Sequence, residues 1–157
     1  MRKRIITPVK QETVAPDMEW LDLEKLAEVE ITSEHEAHPI ESALLPGQVT
    51  GWRAAEPGKQ SIRLIFEQPQ ALQRIWLNFV DSENERTQEY VLRWSPDGGQ
   101  SFREIVRQQW NFSPEGAISE TEELHVELAA VTVIELSIIP DISGGNAFAS
   151  LAQWRLA

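Results

Sequence analysis

Three short stretches carry residue types that could do chemistry. His35-Glu36-Ala37-His38 sets a carboxylate between two imidazoles, and Gly51 to Lys59 brackets a cation between glycines. Arg107-Gln108-Gln109-Trp110-Asn111-Phe112 places two aromatic rings among amide and guanidinium donors. A zinc-peptidase helix needs histidines four apart with the glutamate as base. Here they are three apart and Pro39 follows, so the stretch predicts loop histidines that face solvent or touch a ligand, and no metal is expected. A phosphate loop needs four residues between its glycines and a Ser or Thr after the lysine. Six residues separate Gly51 from Gly58, and Gln60 follows Lys59, which rules that chemistry out.

Carboxylate pairs are plentiful: Glu34/Glu36, Glu83/Glu85 and Glu122/Glu123. Glycosidase chemistry needs two carboxylates at a fixed separation across a cleft, one with a raised pKa. In so acidic a chain these pairs read as solvated faces. Ser95 and Ser101 flank a turn and announce no nucleophile. The prediction is a non-enzyme without a cofactor. Trp110 and Asn111 remain candidates for binding, because an apolar ring face beside planar donors suits a sugar. Whether Trp110 ends a half-buried strand or stands on a loop as a stacking platform is left open by the pattern.

The chain has 157 residues, no cysteine and a net charge of −11. One domain of this length buries a sufficient core without disulfides or metal staples. Glu12 to Glu41 hold ten acids against Lys25 alone, so nucleic-acid phosphates are repelled and are not expected as partners. Arg2, Lys3, Arg4 and Lys10 lie in a predicted flexible tail, residues 1–16, ahead of a domain spanning 17–157. Only Ile5 and Ile6 follow the basic front before polar residues, which is no signal-peptide core, and no run approaches a membrane span. A cytoplasmic location is the expectation.

These groups need a scaffold, and the periodicity supplies one. After a short helix or turn around Trp20, Leu23 and Leu26, Val29 and Ile31 alternate with glutamates as a first strand. "SIRLIFE" and "RIWLNFV" alternate as two strands with "EQPQAL" as the turn between them. "QEYVLRWS" and "FREIVRQQWNF" flank "PDGGQS", a hairpin signal. Counting by twos from Phe102 places Glu104, Val106, Gln108, Trp110 and Phe112 on one face. "ELHVEL", "VTVIELSII" and a last short strand in "LAQWRLA" come next, the last preceded by a loop, "DISGGNAFAS". About eight strands and almost no helix predict an all-β fold, a single antiparallel β-sandwich with jelly-roll topology. Trp76, Trp94 and Trp154 are assigned to its core.

From Trp20 to the C-terminus the order of segments resembles the galactose-binding-like jelly roll of discoidin domains, coagulation-factor C-type domains and many carbohydrate-binding modules. The resemblance rests on "ITSE", "PIESALLPG", "VTGWRA", "QSIRLIFEQPQALQRIWL", "EYVLRWSPDGGQSFREI" and "ASLAQWRL". It implies that Trp52 plugs one end of the sandwich. Many members hold a structural calcium with main-chain carbonyls, an Asp-Gly and a last-strand glutamate. This chain has Pro46-Gly47 and Ala152-Gln153 at those places, so no calcium is expected.

The family's ligand groups come from loops that match "SEHEAHP", "TGWRAAEPG" and "DSENERTQE" here. The resemblance thereby nominates His38, Trp52, Arg53, Arg86 and Gln88 beside Trp110 and Asn111. Arg86 could equally pair with Glu83 or Glu85. The resemblance implies a non-catalytic module that recognises carbohydrate or glycoconjugate, with an intracellular protein-interaction module as the rival. The first predicts a sugar partner and the second a protein partner.

Overall fold

A computed structural model of the protein describes residues 19–48 and 50–157. The expected tail at 1–16 lies outside the described residues. Two one-turn helices, α1 (Leu23–Leu26) and α2 (Glu41–Leu44), accompany eight strands: β1 (Ala27–Ile31), β2 (Trp52–Pro57), β3 (Gln60–Val80), β4 (Arg86–Ser95), β5 (Arg103–Phe112), β6 (Ser119–Ile139), β7 (Phe148–Leu151) and β8 (Gln153–Leu156). All pairings are antiparallel, in a sheet ordered β1-β3-β6-β4-β5 with β8 also on β3, and a two-stranded ribbon β2-β7.

The expected turn at "EQPQAL" is not a turn. β3 runs through it for 21 residues, and β6 likewise joins "ELHVEL" to "VTVIELSII". The two long strands pair along both halves, with register shifts between Ile65 and Arg74. Pro69 has no N–H to give a ladder, and the irregular stretch where it sits lets the pair bend while both halves stay paired. The first half of β3 pairs with β1, and the second half with β8. Phe79, from that second half, stacks on Tyr90 of β4 at 5.1 Å between ring centroids. β4 is not hydrogen-bonded to β3, so this contact joins the two layers face to face. Ile62, Leu64, Leu72, Ile75, Leu77, Leu92, Ile134 and Leu136 fill the shared core. Each such side chain contributes about 1.5–3 kcal/mol by leaving water.

β2 and β7 are strands where the sequence pattern shows only loop. Each is short and pairs only with the other, so neither has the long alternation by which a strand is recognised. Trp154 and Trp76 are buried as expected, whereas Trp94 is only half-buried, with the Arg103 guanidinium 5.2 Å from its ring. The β4–β5 hairpin forms as predicted: the Asp97 carboxylate accepts from the Ser101 amide at 2.9 Å, and Gly98 and Gly99 take φ of 74° and 95°. One face assignment changes. The β4–β5 register slips between Leu92 and Arg93, and Glu104 joins Arg107 on the outer face.

Candidate functional site

The loop after β1 is stitched to β2 by backbone bonds. His35 N–H donates to the Arg53 carbonyl at 2.7 Å, and Arg53 N–H donates to the His38 carbonyl at 3.2 Å. Buried Trp52 donates its indole N–H to the Ser33 carbonyl at 3.1 Å, which anchors the base of the same loop. Gly51 makes this junction possible: with φ of 66°, a Cβ there would lie 2.8 Å from the Leu151 carbonyl oxygen. His38 and Arg53 thus stand on a fixed rim.

That rim opens into a concavity of about 640 Å³, whose other walls are the β3–β4 loop and the segment before β7. His38, Trp52, Arg53 and Arg86 all line it. The His38 Nδ1 lies 3.1 Å from the Thr50 carbonyl oxygen. A carbonyl only accepts, so Nδ1 carries the hydrogen and Nε2 of the neutral ring is left as an acceptor. Exposed Arg53 holds its guanidinium 5.3 Å from the centre of the Phe148 ring. A half-buried ring beside planar donors can take the apolar face of one ligand ring and its hydroxyls together.

Arg86 is a different kind of arginine. Its Nε donates to Asp81 at 2.7 Å and its Nη1 to the Pro140 carbonyl at 2.7 Å and to Gln88 at 3.4 Å. The guanidinium also lies 4.6 Å from the Phe112 ring. It is buried, and its ion-pair partner is Asp81 rather than Glu83 or Glu85. Burial alone would raise the Asp81 pKa, but the bond from Arg86 and the amides of Glu83 and Asn84 outweigh it and lower it. Arg86 is therefore the strut that fixes the β3–β4 loop on the concavity's wall.

The structure does not bring Gln88, Trp110 or Asn111 to this concavity. Gln88 is fully buried and donates to Glu120 at 3.5 Å. β5 runs through to Phe112, so Trp110 stays on a strand, half-buried against the core, in register with Gln88. Trp110 and Phe112 share a face, as counting by twos predicts. Asn111 is on the outer face, where its Oδ1 accepts from the Thr87 hydroxyl at 2.7 Å. Phe148 is a site residue that the sequence pattern does not nominate. Its only signal is an aromatic residue closing a glycine-rich loop just before the last strand.

No family model matches the chain, and no curated protein matches it in sequence. Solved structures do match in shape. The module CBM32-3 from a family 31 glycoside hydrolase of Clostridium perfringens superposes with a TM-score of 0.63 at 20% identity, over 87% of this chain and 93% of that one. The family 32 carbohydrate-binding module of Clostridium perfringens NanJ, in complex with galactose, gives 0.62 at 16% identity, over 83% and 92%. Chitosan-binding module 1 from a chitosanase/glucanase of Paenibacillus sp. IK-5 gives 0.62 at 15%, over 86% and 97%. The chain has the galactose-binding-like jelly-roll fold.

In this galactose-binding-like frame, α2 and the last strand are joined by an arginine. Arg155 of β8 donates from Nη1 to the carbonyls of Ala43 and Trp154 at 2.7 and 3.0 Å, and from Nη2 to the Leu45 carbonyl at 3.1 Å. The side chain is buried, and burial lowers its pKa. Converging main-chain carbonyls in this region thus face a resident cation. Among the described residues no group of three or more His, Asp or Glu side chains is placed to hold a metal ion. Nor is any described helix long and apolar enough to cross a membrane.

Proposed function

We propose that the protein is a non-catalytic binding module that holds a carbohydrate or glycoconjugate in the loop-end concavity. The observation that carries this reading is the meeting of His38, exposed Arg53 and the Phe148 ring on one open wall. Phe148 offers a face for stacking; His38 Nε2 accepts from a hydroxyl, and Arg53 donates to ring or hydroxyl oxygens. Trp52 and Arg86 act beneath them as supports rather than as contacts: the Trp52 indole N–H and the Nε and Nη1 of buried Arg86 already have protein partners. Gln88 lies deeper still and braces Arg86. The solved modules with this fold are carbohydrate binders by their own descriptions, which agrees with the chemistry of the wall.

Affinity at such a site is modest, since one stacked ring and a few hydrogen bonds must offset the lost freedom of the ligand. The test is a glycan array run beside isothermal titration of each hit. Saturable binding that is lost in Arg53→Ala, with the fold intact by circular dichroism, supports the reading. An array without hits, together with a stoichiometric protein partner from lysate that Arg53→Ala releases, overturns it in favour of a protein-interaction module.

A further inference from the structure

β1 is an edge strand: it pairs with β3 on one side, and on the other with no strand among the described residues. Across that pair the Thr32 amide donates to the Ser61 carbonyl at 3.1 Å. In an antiparallel ladder hydrogen-bonded pairs recur every second residue, so Glu30 with Arg63 and Glu28 with Ile65 are the next ones. The N–H and C=O groups of Val29 and Ile31 therefore point the opposite way, off the free edge. Among the described residues they find no partner there.

Beside this edge lies an apolar groove of about 430 Å³. Its walls are Val29 and Ile31 from β1, Leu23 from α1, and Ile40, Leu44 and Leu45 in and around α2. Val29 and Ile31 lean inward, half-buried against the core, while Glu28 and Glu30 alternate with them on the exposed outer face. Three more exposed carboxylates, Glu24, Glu34 and Glu41, line the groove without a cation among them. One oxygen of Glu34 accepts from the Ile40 amide at 3.0 Å, and Glu30 stands across from Arg63 on β3. Among the described residues none of these five acids forms an ion pair. From Glu19 to Gln48 the chain carries eight acids against Lys25, which itself pairs with Asp22. The groove shares no lining residue with the loop-end concavity.

We infer that this edge is a docking site for an extended segment of a partner protein in which apolar residues alternate with lysine or arginine. The segment adds a strand to β1 through the main chain of Val29 and Ile31, drops its apolar side chains into the groove, and sets its cations beside Glu28 and Glu30. Opposite charges facing across a strand pair are favourable and like charges are not. A second copy of β1 is a poor occupant for that reason, since antiparallel pairing centred on Val29 sets each Glu28 against a Glu30. Charged side chains keep an edge from pairing with its own kind. The same charges here admit a basic strand. A saccharide lacks its usual contacts, because the lining has no aromatic ring and no amide or guanidinium side chain.

The test is amide chemical-shift mapping and hydrogen exchange on the full chain with three capped heptapeptides. One alternates lysine with valine, one alternates glutamate with valine, and the third is the first with proline at its centre. Only the first is expected to shift Leu23, Val29, Ile31 and Leu44 saturably and to slow exchange of the Val29 and Ile31 amides at least about tenfold. Its affinity should fall several-fold as ionic strength rises from about 0.01 to 0.15 M. Val29→Pro removes an N–H that points off the edge and none from the β3 ladder, so it should abolish binding with the fold intact by circular dichroism. Glu28→Lys is expected to weaken the lysine peptide about threefold and to improve binding of the glutamate peptide. Should Val29→Pro fail to fold, Glu28→Lys decides, and unchanged affinity for both peptides overturns the proposal. Arg53→Ala leaves these shifts in place, so failure here and failure of the loop-end reading are told apart. Equal binding of the glutamate or the proline peptide overturns the assigned partner. So does a free chain that dimerises through β1 by sedimentation and shift mapping, or one whose Val29 and Ile31 amides show cross-strand contacts to residues 1–18. Shifts confined to His38, Arg53 and Phe148, or none up to about 10 mM, overturn the site.

Discussion

Arg155 and Arg53 stand in two regions where a chain segment from the first third of the sequence meets the last strands, and the fold uses them in opposite ways. Arg155 spends its Nη donors on the carbonyls of Ala43, Leu45 and Trp154 and is buried. Arg53 is exposed, and its guanidinium rests near Phe148 with room beside it. A saturated guanidinium is a clasp that holds α2 to β8. An unsaturated one on a rigid strand keeps donors open to solvent, which is why the proposed ligand contact is assigned to it. Arg86 lies between these extremes, buried like the first but on the wall of the second region's concavity. Donor saturation, more than residue type or position in a pocket, separates arginines that build the site from those that could use it.

Removing the clasp has the largest expected effect. Arg155→Ala strips three charge-assisted bonds from buried carbonyls and is expected to cost about 3 kcal/mol. That corresponds to a fall in Tm of about 6–12 °C by thermal circular dichroism. Arg155→Lys recovers only part of it, since a single ammonium lacks the planar fork that reaches several carbonyls. Ligand affinity measured below the transition should be unchanged. Arg86→Ala sits next: it leaves the Asp81 carboxylate without its cation and frees the β3–β4 loop, costing about 2 kcal/mol. Unlike Arg155→Ala, it should weaken stability and binding together.

A smaller effect is set by pH. Burial, and then the neighbouring Glu122 carboxylate, push the Glu120 carboxyl up to about 7 from an ordinary 4.5. Between those values the folded protein holds a proton that the unfolded chain has lost. This stabilisation is complete below about pH 4.5 and disappears as pH rises through 7. Tm is therefore expected to drop by several degrees from pH 5 to pH 8.5, each kcal/mol being worth about 2–4 °C in a domain of this size. Glu120→Gln should flatten that slope and be the more stable form at pH 8.5. Glu120 reaches the loop-end wall only through Gln88 and Arg86, so loop-end binding is expected to change far less than Tm over the same pH range.

Much of the fold can be read in the sequence. Period-two alternation locates the strands because one face of each is buried, and the Asp-Gly turn fixes one hairpin. His38 and Arg53 are nominated by loop resemblance, and they do share a concavity. What alternation hides is which polar residues point inward. Counting back by twos from Tyr90 puts Gln88 and Arg86 on the core face, and the structure buries both. Their partners, Glu120, Asp81 and the Pro140 carbonyl, come from other segments, so no local pattern shows that these polar groups can be satisfied inside. The Arg155 clasp is hidden for the same reason, since two of its three acceptors lie 110 and 112 residues away in sequence. Phe148 and Arg53 sit in a two-stranded ribbon too short to declare itself.

The smallest energetic change tests the most. Arg53→Ala should leave Tm within about 1–2 °C, as expected for an exposed side chain. Its effect belongs to binding: the loss of one charge-assisted bond is about 1.4 kcal/mol, or tenfold in Kd. The decisive measurement is therefore amide chemical-shift mapping of the wild-type chain and Arg53→Ala with a neutral saccharide chosen from the array. The account predicts saturable shifts clustered at His38, Arg53 and Phe148, weakened at least about tenfold in the variant. Saturable shifts centred elsewhere, or equal affinity of the two proteins for the saccharide, would contradict it.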